Sequence, residues 1–283
     1  MRTRIGLLHP GQMGAAIAAR LNADVLWCPE GRSESTHERA DLAALRAAPM
    51  ADLAKCDVIL SVVAPSAAED VAAAVTAAGF RDGLYIDANA IRPERAQTLA
   101  DDLAGVGIET IDACIIGPPP RDDARPHMFL SGAPNSRHTA AEILGNAVEI
   151  TELDDVPGGA SALKLSHTVA QKATRTLGAL AHAFATKHDV DEHLTALAAA
   201  SPHPAANPQQ LPSVAARAWR WHPELDDTAR ALADAGLPSE ALEDIADVLR
   251  RWMPLKDDAT ASLDSALDLL STDPPPSEAR NGS

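Results

Sequence analysis

Lys164, His167 and Thr168 stand at i, i+3 and i+4, so on a helix they share one face. Ser161 and Gln171 extend that face on either side. A lysine in such a set does proton chemistry when it is desolvated. Burial penalises the ammonium form, lowers its pKa and lets the amine act as acid and base near neutral pH. Lys164 is therefore the expected proton donor, with His167 or Thr168 orienting it or touching a substrate. The plain alternative for His167 is a helix residue bonded to a backbone carbonyl.

A second set of residues binds rather than reacts. In Ile5-Gly6-Leu7-Leu8-His9-Pro10-Gly11-Gln12-Met13-Gly14, glycines at 11 and 14 lie between an apolar run and a helical pattern. In a G-x-G-x-x-G turn the second glycine lets the backbone approach a pyrophosphate, and the third lets helix and strand pack closely. The first position here is His9, followed by Pro10, so the tight turn must be made differently. The expected phosphate cradle is His9, Pro10, Gly11, Gln12, Met13 and Gly14; the plain alternative is a strand-to-helix turn without a ligand.

Beyond the second apolar run come Glu30, Gly31, Arg32 and Ser33. An acid in this place suits the ribose hydroxyls of NAD, whereas a guanidinium and a hydroxyl suit the 2′-phosphate of NADP. Arg32 and Ser33 favour NADP(H) over NADH, and Glu30 dissents. Val63 and Ala64, at the end of the third run, and Asn89, just past the fourth, complete the cofactor set. Asn89 also stands where a side chain reaches substrate; its alternative is a residue near a helix N-cap.

The elements that must position these groups can be read from periodicity. Arg4–Leu8, Asp24–Trp27, Asp57–Val63, Leu84–Asp87, Ile108–Ile116, Met128–Leu130 and Ala147–Ile150 read as strands. Helical patterns lie between most of them, including Gly11–Leu21, Ser66–Ala78 and Pro93–Leu103. Strands that run apolar throughout, separated by helices, predict a parallel sheet covered on both faces. The fold class is α/β, an N-terminal Rossmann doubly wound sheet followed by an all-α C-terminal domain. Gly158 to Lys187 reads as one long helix, Ser201–Ser213 as a proline-rich connection, and Val214–Ala235 and Ser239–Trp252 as further helices. The expected divisions are 1–154 for the NADP-binding domain, 155–270 for a helical substrate and dimerisation domain, and 271–283 for a disordered tail.

Composition narrows the function classes. The 283 residues carry a formal net charge of −16, which opposes binding to nucleic acid or an anionic membrane surface. Cys28, Cys56 and Cys114 are widely spaced and form no C-x-x-C pair, which argues against a disulfide framework and a zinc site. No signal peptide or membrane span is legible, so a cytoplasmic location is expected. Trp219, Trp221 and Trp252 are expected as core or subunit-interface anchors.

With these residues in place, the sequence resembles the β-hydroxyacid dehydrogenases, the group that includes 3-hydroxyisobutyrate and 6-phosphogluconate dehydrogenases. The family opening I-G-F-I-G-L-G-x-M-G is similar to residues 5–14, and its D-x-S-T-x-x-P to Asp87-Ala88-Asn89-Ala90-Ile91-Arg92-Pro93. Its D-A-P-V-S-G-G is similar to Asp112–Pro118, and its G-x-G-x-x-x-K-x-x-N-N to Gly158–Thr168. Arg217–Leu225 resembles the C-terminal domain of a poorly characterised branch that has H-P-G in place of G-L-G. There are departures: Ile116 replaces the serine that holds a substrate carboxylate, Pro118 and Ala160 replace glycines, and His167 and Thr168 replace paired asparagines. Ile116, Gly117, Ser161 and Asn89 make up the expected substrate set, in a pocket less polar than a carboxylate site. The resemblance implies NADP(H)-dependent hydride transfer on a small carbonyl or hydroxy compound, and a homodimer. The alternatives are an imine reductase on the same fold and a non-catalytic NADP-binding sensor.

Overall fold

In the computed structural model the described residues are 2–122, 124–187, 189–200, 208–234, 236 and 238–271. The first strand, β1 (Arg4–Leu8), runs into α1 (Gln12–Ala18) through the glycine turn and returns as β2 (Asp24–Trp27). There follow α2 (Glu34–Leu42), β3 (Arg46–Ala47), α3 (Met50–Leu53), β4 (Val58–Ser61), α4 (Ala68–Ala77) and β5 (Leu84–Asp87). Then come α5 (Pro93–Ala104), β6 (Glu109–Ile116), β7 (His127–Ser131), α6 (Pro134–Leu144) and β8 (Glu149–Glu152). Pro93 and Pro134 open their helices at the first turn, where a missing N–H leaves no bond unmade.

The eight strands lie in the order β3-β2-β1-β4-β5-β6-β7-β8. Every pairing is parallel except β6 with β7. The expected parallel sheet thus carries one antiparallel pair. Only ten residues separate β6 from β7, too few for the crossover that a parallel return requires. The two-residue edge strand β3 was not expected either, since Arg46–Ala47 is too short and too exposed to give a periodic signal.

Alternation along each strand supplies two cores, one per face. Ile5, Leu7, Val58, Leu60, Ile86 and Ile111 enter one, and Leu8, Leu26, Ile59, Tyr85 and Phe80 enter the other. The strand order reverses beside β1, where β2 lies on one side and β4 on the other. In open α/β sheets, ligands bind at such a crevice outside the carboxyl ends of the strands.

The chain forms two compact units, and the division falls between Leu165 and Ser166. It therefore falls inside helix α7 (Gly159–Thr168). The long helix expected over 158–187 is interrupted: a π-turn at Val169–Ala173 separates α7 from α8 (Thr174–Lys187). The second unit continues with α9 (Asp191–Ala199), α10 (Leu211–Ala215), α11 (Ala218–Asp234), α12 (Glu240–Arg250) and α13 (Leu263–Ser271). The helix expected over 214–235 is thus two helices, and α11 accommodates Pro223 within its length. The core of this unit gathers Leu225, Ala229, Leu242, Leu249 and Trp252, whose indole N–H donates to Ala266 O at 2.7 Å. Residues 272–283 of the expected tail and 201–207 of the expected connection lie outside the described residues.

Candidate active site

Register fixes the site's frame. Leu8 of β1, Ser61 of β4, Asp87 of β5 and Asp112 of β6 stand side by side at the carboxyl edge, with Ser131 of β7 opposite Asp112. His9 follows at once on β1, so the glycine turn and the far end of β6 open onto the same edge.

The two turn glycines are glycines for different reasons. A Cβ on Gly14 would lie 2.5 Å from His9 O, so close packing of α1 on the loop requires its absence. A Cβ on Gly11 would meet no protein atom within 4 Å. The protein's own packing does not require glycine there, and the space beside it leaves the backbone open to a group approaching from outside. The first N–H groups of α1 have no partner within the helix and no acidic side chain stands in its first turn. These features fit the phosphates of a dinucleotide. His9 is only 9% exposed, and neither ring nitrogen has a hydrogen-bond partner among the described residues. Burial first, and then the Arg32 guanidinium, push its pKa down to about 4, so the imidazole is neutral. Pro10 is buried, Met13 packs against the sheet core, and Gln12 is exposed.

Past β2, Gly31 takes a positive φ of 70° and Arg32 Nε donates to Glu30 O at 3.3 Å. Ser33 Oγ lies 3.1 Å from Ser35 Oγ and 3.0 Å from Thr36 Oγ1. Arg39 Nη2 donates to Thr36 Oγ1 at 3.0 Å, and its Nε donates to Pro10 O at 3.3 Å. Sequence reasoning named Arg32 and Ser33 but missed Ser35, Thr36 and Arg39. The three-residue spacing of 33, 36 and 39 was the signal that could have found Thr36 and Arg39, since it puts them on one helix face with Ser33; Ser35 falls outside it.

Asn89 is 4% exposed and its amide is committed internally. It donates to Ser61 Oγ at 2.8 Å and to Asp87 Oδ1, and accepts from Val63 N–H at 2.6 Å. Asn89 thereby staples the loop after β4, with Val63 and the exposed Ala64, to the loop after β5. Asp87 Oδ2 has no partner among the described residues. Burial, and then the Asp112 charge, raise the Asp87 carboxyl to about 8.

Lys164 projects from α7 onto β6, where Nζ donates to Ile115 O at 2.7 Å. Burial lowers its pKa, and the neighbouring Cys114 opposes part of that shift. The Cys114 thiol is itself pushed up to about 12, mainly by burial. Ile116 is half-buried, and Gly117 is exposed at φ 122° against Pro126, a conformation that favours glycine. Ser161 is fully buried and its Oγ donates to Asp112 Oδ1 at 2.6 Å. His167 and Thr168 lie past the division between the units; His167 is half-buried and Thr168 only 2% exposed. Among the described residues no group of three His, Cys, Asp or Glu is placed to hold a metal, and no helix is long and apolar enough to cross a membrane.

A sheet reversed beside β1, an open glycine turn at the reversal and cations behind β2 define a dinucleotide-binding protein. Residues 4–152 match the family described as the NAD binding domain of 6-phosphogluconate dehydrogenase, and residues 185–252 match a domain of unknown function (DUF1932). The chain belongs to that 6-phosphogluconate dehydrogenase-like, NAD-binding family.

Three solved structures share the fold. A conserved protein of unknown function, itself described as similar to 3-hydroxyacid dehydrogenases, is 24% identical over 89% of this chain and 98% of its own, with a TM-score of 0.68. The Mycobacterium tuberculosis 3-hydroxyisobutyrate dehydrogenase with L-serine is 17% identical over 96% and 100%, with a TM-score of 0.75. The Aspergillus terreus reductive aminase with NADPH and ethyl levulinate is 15% identical over 95% and 99%, with a TM-score of 0.60. No curated protein matches the chain.

Proposed function

We propose that this chain is an NADP(H)-dependent oxidoreductase that moves hydride between a nicotinamide and a small carbonyl or hydroxy compound, with Lys164 as general acid and base. The observation that carries this reading is the seat of Lys164. Its amine is desolvated and bound to Ile115 O, beyond the carboxyl edge of the sheet whose β1 turn is open to a dinucleotide. Three strand spacings separate β1 from β6, about 14 Å, a span that a dinucleotide bridges.

When bound, the nicotinamide gives or takes the hydride. Lys164 Nζ gives a proton to the substrate oxygen in reduction and takes one in oxidation. A lowered pKa brings both forms of the amine within reach of neutral pH. Ile115 O holds the amine in place. Gly117 turns the chain away from it, leaving the apolar Ile116 at the edge of the site. His167 and Thr168 are proposed to orient the lysine or touch substrate. The 2′-phosphate is assigned to Arg32 and Ser33, joined by Thr36 and Arg39, which gives NADP(H) preference over NADH.

Imine reduction is the second reading, favoured by the likeness to the reductive aminase and by Ile116 in place of a polar serine. The test is NADPH consumption with small ketones, aldehydes and keto acids, each with and without an added amine. Lys164→Ala is expected to lower turnover about 10²- to 10⁴-fold while NADPH binding is retained. Undiminished turnover in the variant contradicts the proton-transfer role. NADPH binding without turnover of any substrate supports the sensor instead.

A further inference from the structure

The head of α7 is fastened to the sheet by one carboxylate and one hydroxyl, neither of which the mechanism uses. Asp112 Oδ2 accepts from Gly158 N–H at 2.8 Å, Ser161 N–H at 3.0 Å and Ser131 Oγ at 2.9 Å. Asp112 Oδ1 accepts from Ser161 Oγ at 2.6 Å. Ser131 Oγ in turn accepts from Ala160 N–H at 2.9 Å. Asp112 is 1% exposed, and Ser131 and Ser161 are fully buried. The orphan donors of a helix start are thus satisfied from β6 and β7 rather than by water, and the negative charge sits at the positive end of the helix dipole.

The same strand then receives the lysine. Ile115 O lies three residues past Asp112, about 10 Å along β6. Lys164 lies three residues past Ser161, about 4.5 Å along the helix. The four-carbon arm of the lysine covers the rest of the span. Helix and strand are therefore joined at two points, the capped head and the amine.

We propose that Asp112 and Ser131 are positioning residues for Lys164: by fixing the head of α7 they hold the lysine's arm along β6 and keep its amine on Ile115 O, out of water. The inference deepens the reading of Lys164 as the proton-transfer group and rests on it. Burial is the leading cause of the lysine's lowered pKa, so loosening the cap admits water and returns the amine toward its free value. A direct charge effect has the opposite sign, because loss of a nearby carboxylate disfavours the ammonium. The two roles are therefore separable by direction.

The experiment uses the whole chain and needs no substrate. Lys164 is acylated with a small activated acetyl ester across a pH series, and the rate is read from its peptide by mass spectrometry. The wild-type midpoint is expected below the free-lysine value of about 10.4. In Asp112→Asn and Ser131→Ala the midpoint moves up by about half a unit to one unit, so the free amine at pH 8 falls about three- to tenfold. An unmoved or lowered midpoint overturns the proposal. Ser131→Ala loses a single hydroxyl and decides the matter if Asp112→Asn fails to fold. NADPH binding is measured on the same proteins and is expected to survive, since the cap lies apart from the glycine turn. Its absence from the wild type sinks the cofactor reading but leaves the midpoints to judge the cap.

Discussion

At His9 a side chain stands where the nucleotide-binding pattern wants a glycine, and the structure makes that side chain a neutral one. Its two ring nitrogens are buried and unpartnered among the described residues, and burial with Arg32 holds the pKa near about 4. An unfolded histidine titrates near about 6.5. The folded state therefore binds fewer protons in that window, and the stability this contributes is present above about pH 6.5 and lost as pH falls toward 4. His9→Gln is expected to lose less stability than the wild type over that range, measured as denaturant midpoints at each pH. Parallel curves contradict the assignment. The substitution itself was legible in the sequence; its neutrality was not, because it depends first on burial and then on Arg32 arriving from another loop. The internal partners of Ser161 and Asn89 were equally invisible in the sequence. Both carry polar groups that suit a substrate, and both spend them inside the fold.

Among the elements, register lines up a buried polar row across four strands: Ser61, Asp87 and Ser131 at the last positions of β4, β5 and β7, and Asp112 midway along β6. Asp112 is saturated with donors, while Asp87 has one and stands beside that charge. The Asp87 carboxyl, raised to about 8, keeps its proton where an unfolded aspartate at about 3.9 has lost it. Folding then takes up a proton, so this group's contribution falls as pH climbs from about 4 to about 8. Asn copies the protonated acid in shape. Asp87→Asn is therefore expected to gain in melting temperature over the wild type between pH 5 and 8, and to gain most at pH 8. A constant difference, or a loss that grows with pH, counts against it. These four strands were visible as apolar runs, but the row was not, because it exists only once register aligns them. The π-turn at Val169–Ala173 was equally hidden, since an Ala-rich stretch without proline gives no signal of an extra residue in a turn.

Over the whole molecule, a formal net charge of −16 must be reconciled with an anionic cofactor. Long-range fields oppose the approach, so affinity has to come from local groups: the open turn at Gly11, the N-terminus of α1 and the cations behind β2. Arg32 and Arg39 stand on the loop and helix that follow β2, and Arg39 bonds the glycine turn itself through Pro10 O. The succession of most strands along the chain and the place of the turn were legible from sequence, because apolar runs and glycines mark them directly. Arg39 was not, because its role appears only when α2 packs beside the turn. The most direct test of the central claim is a side-by-side fluorescence titration of the wild type with NADPH and NADH, repeated on Arg32→Ala. The account predicts tighter binding of NADPH by about 10- to 100-fold, the worth of one or two charge-assisted hydrogen bonds, with most of that preference lost in the variant. Equal affinities would contradict the 2′-phosphate assignment, and no binding of either would contradict the cofactor site altogether.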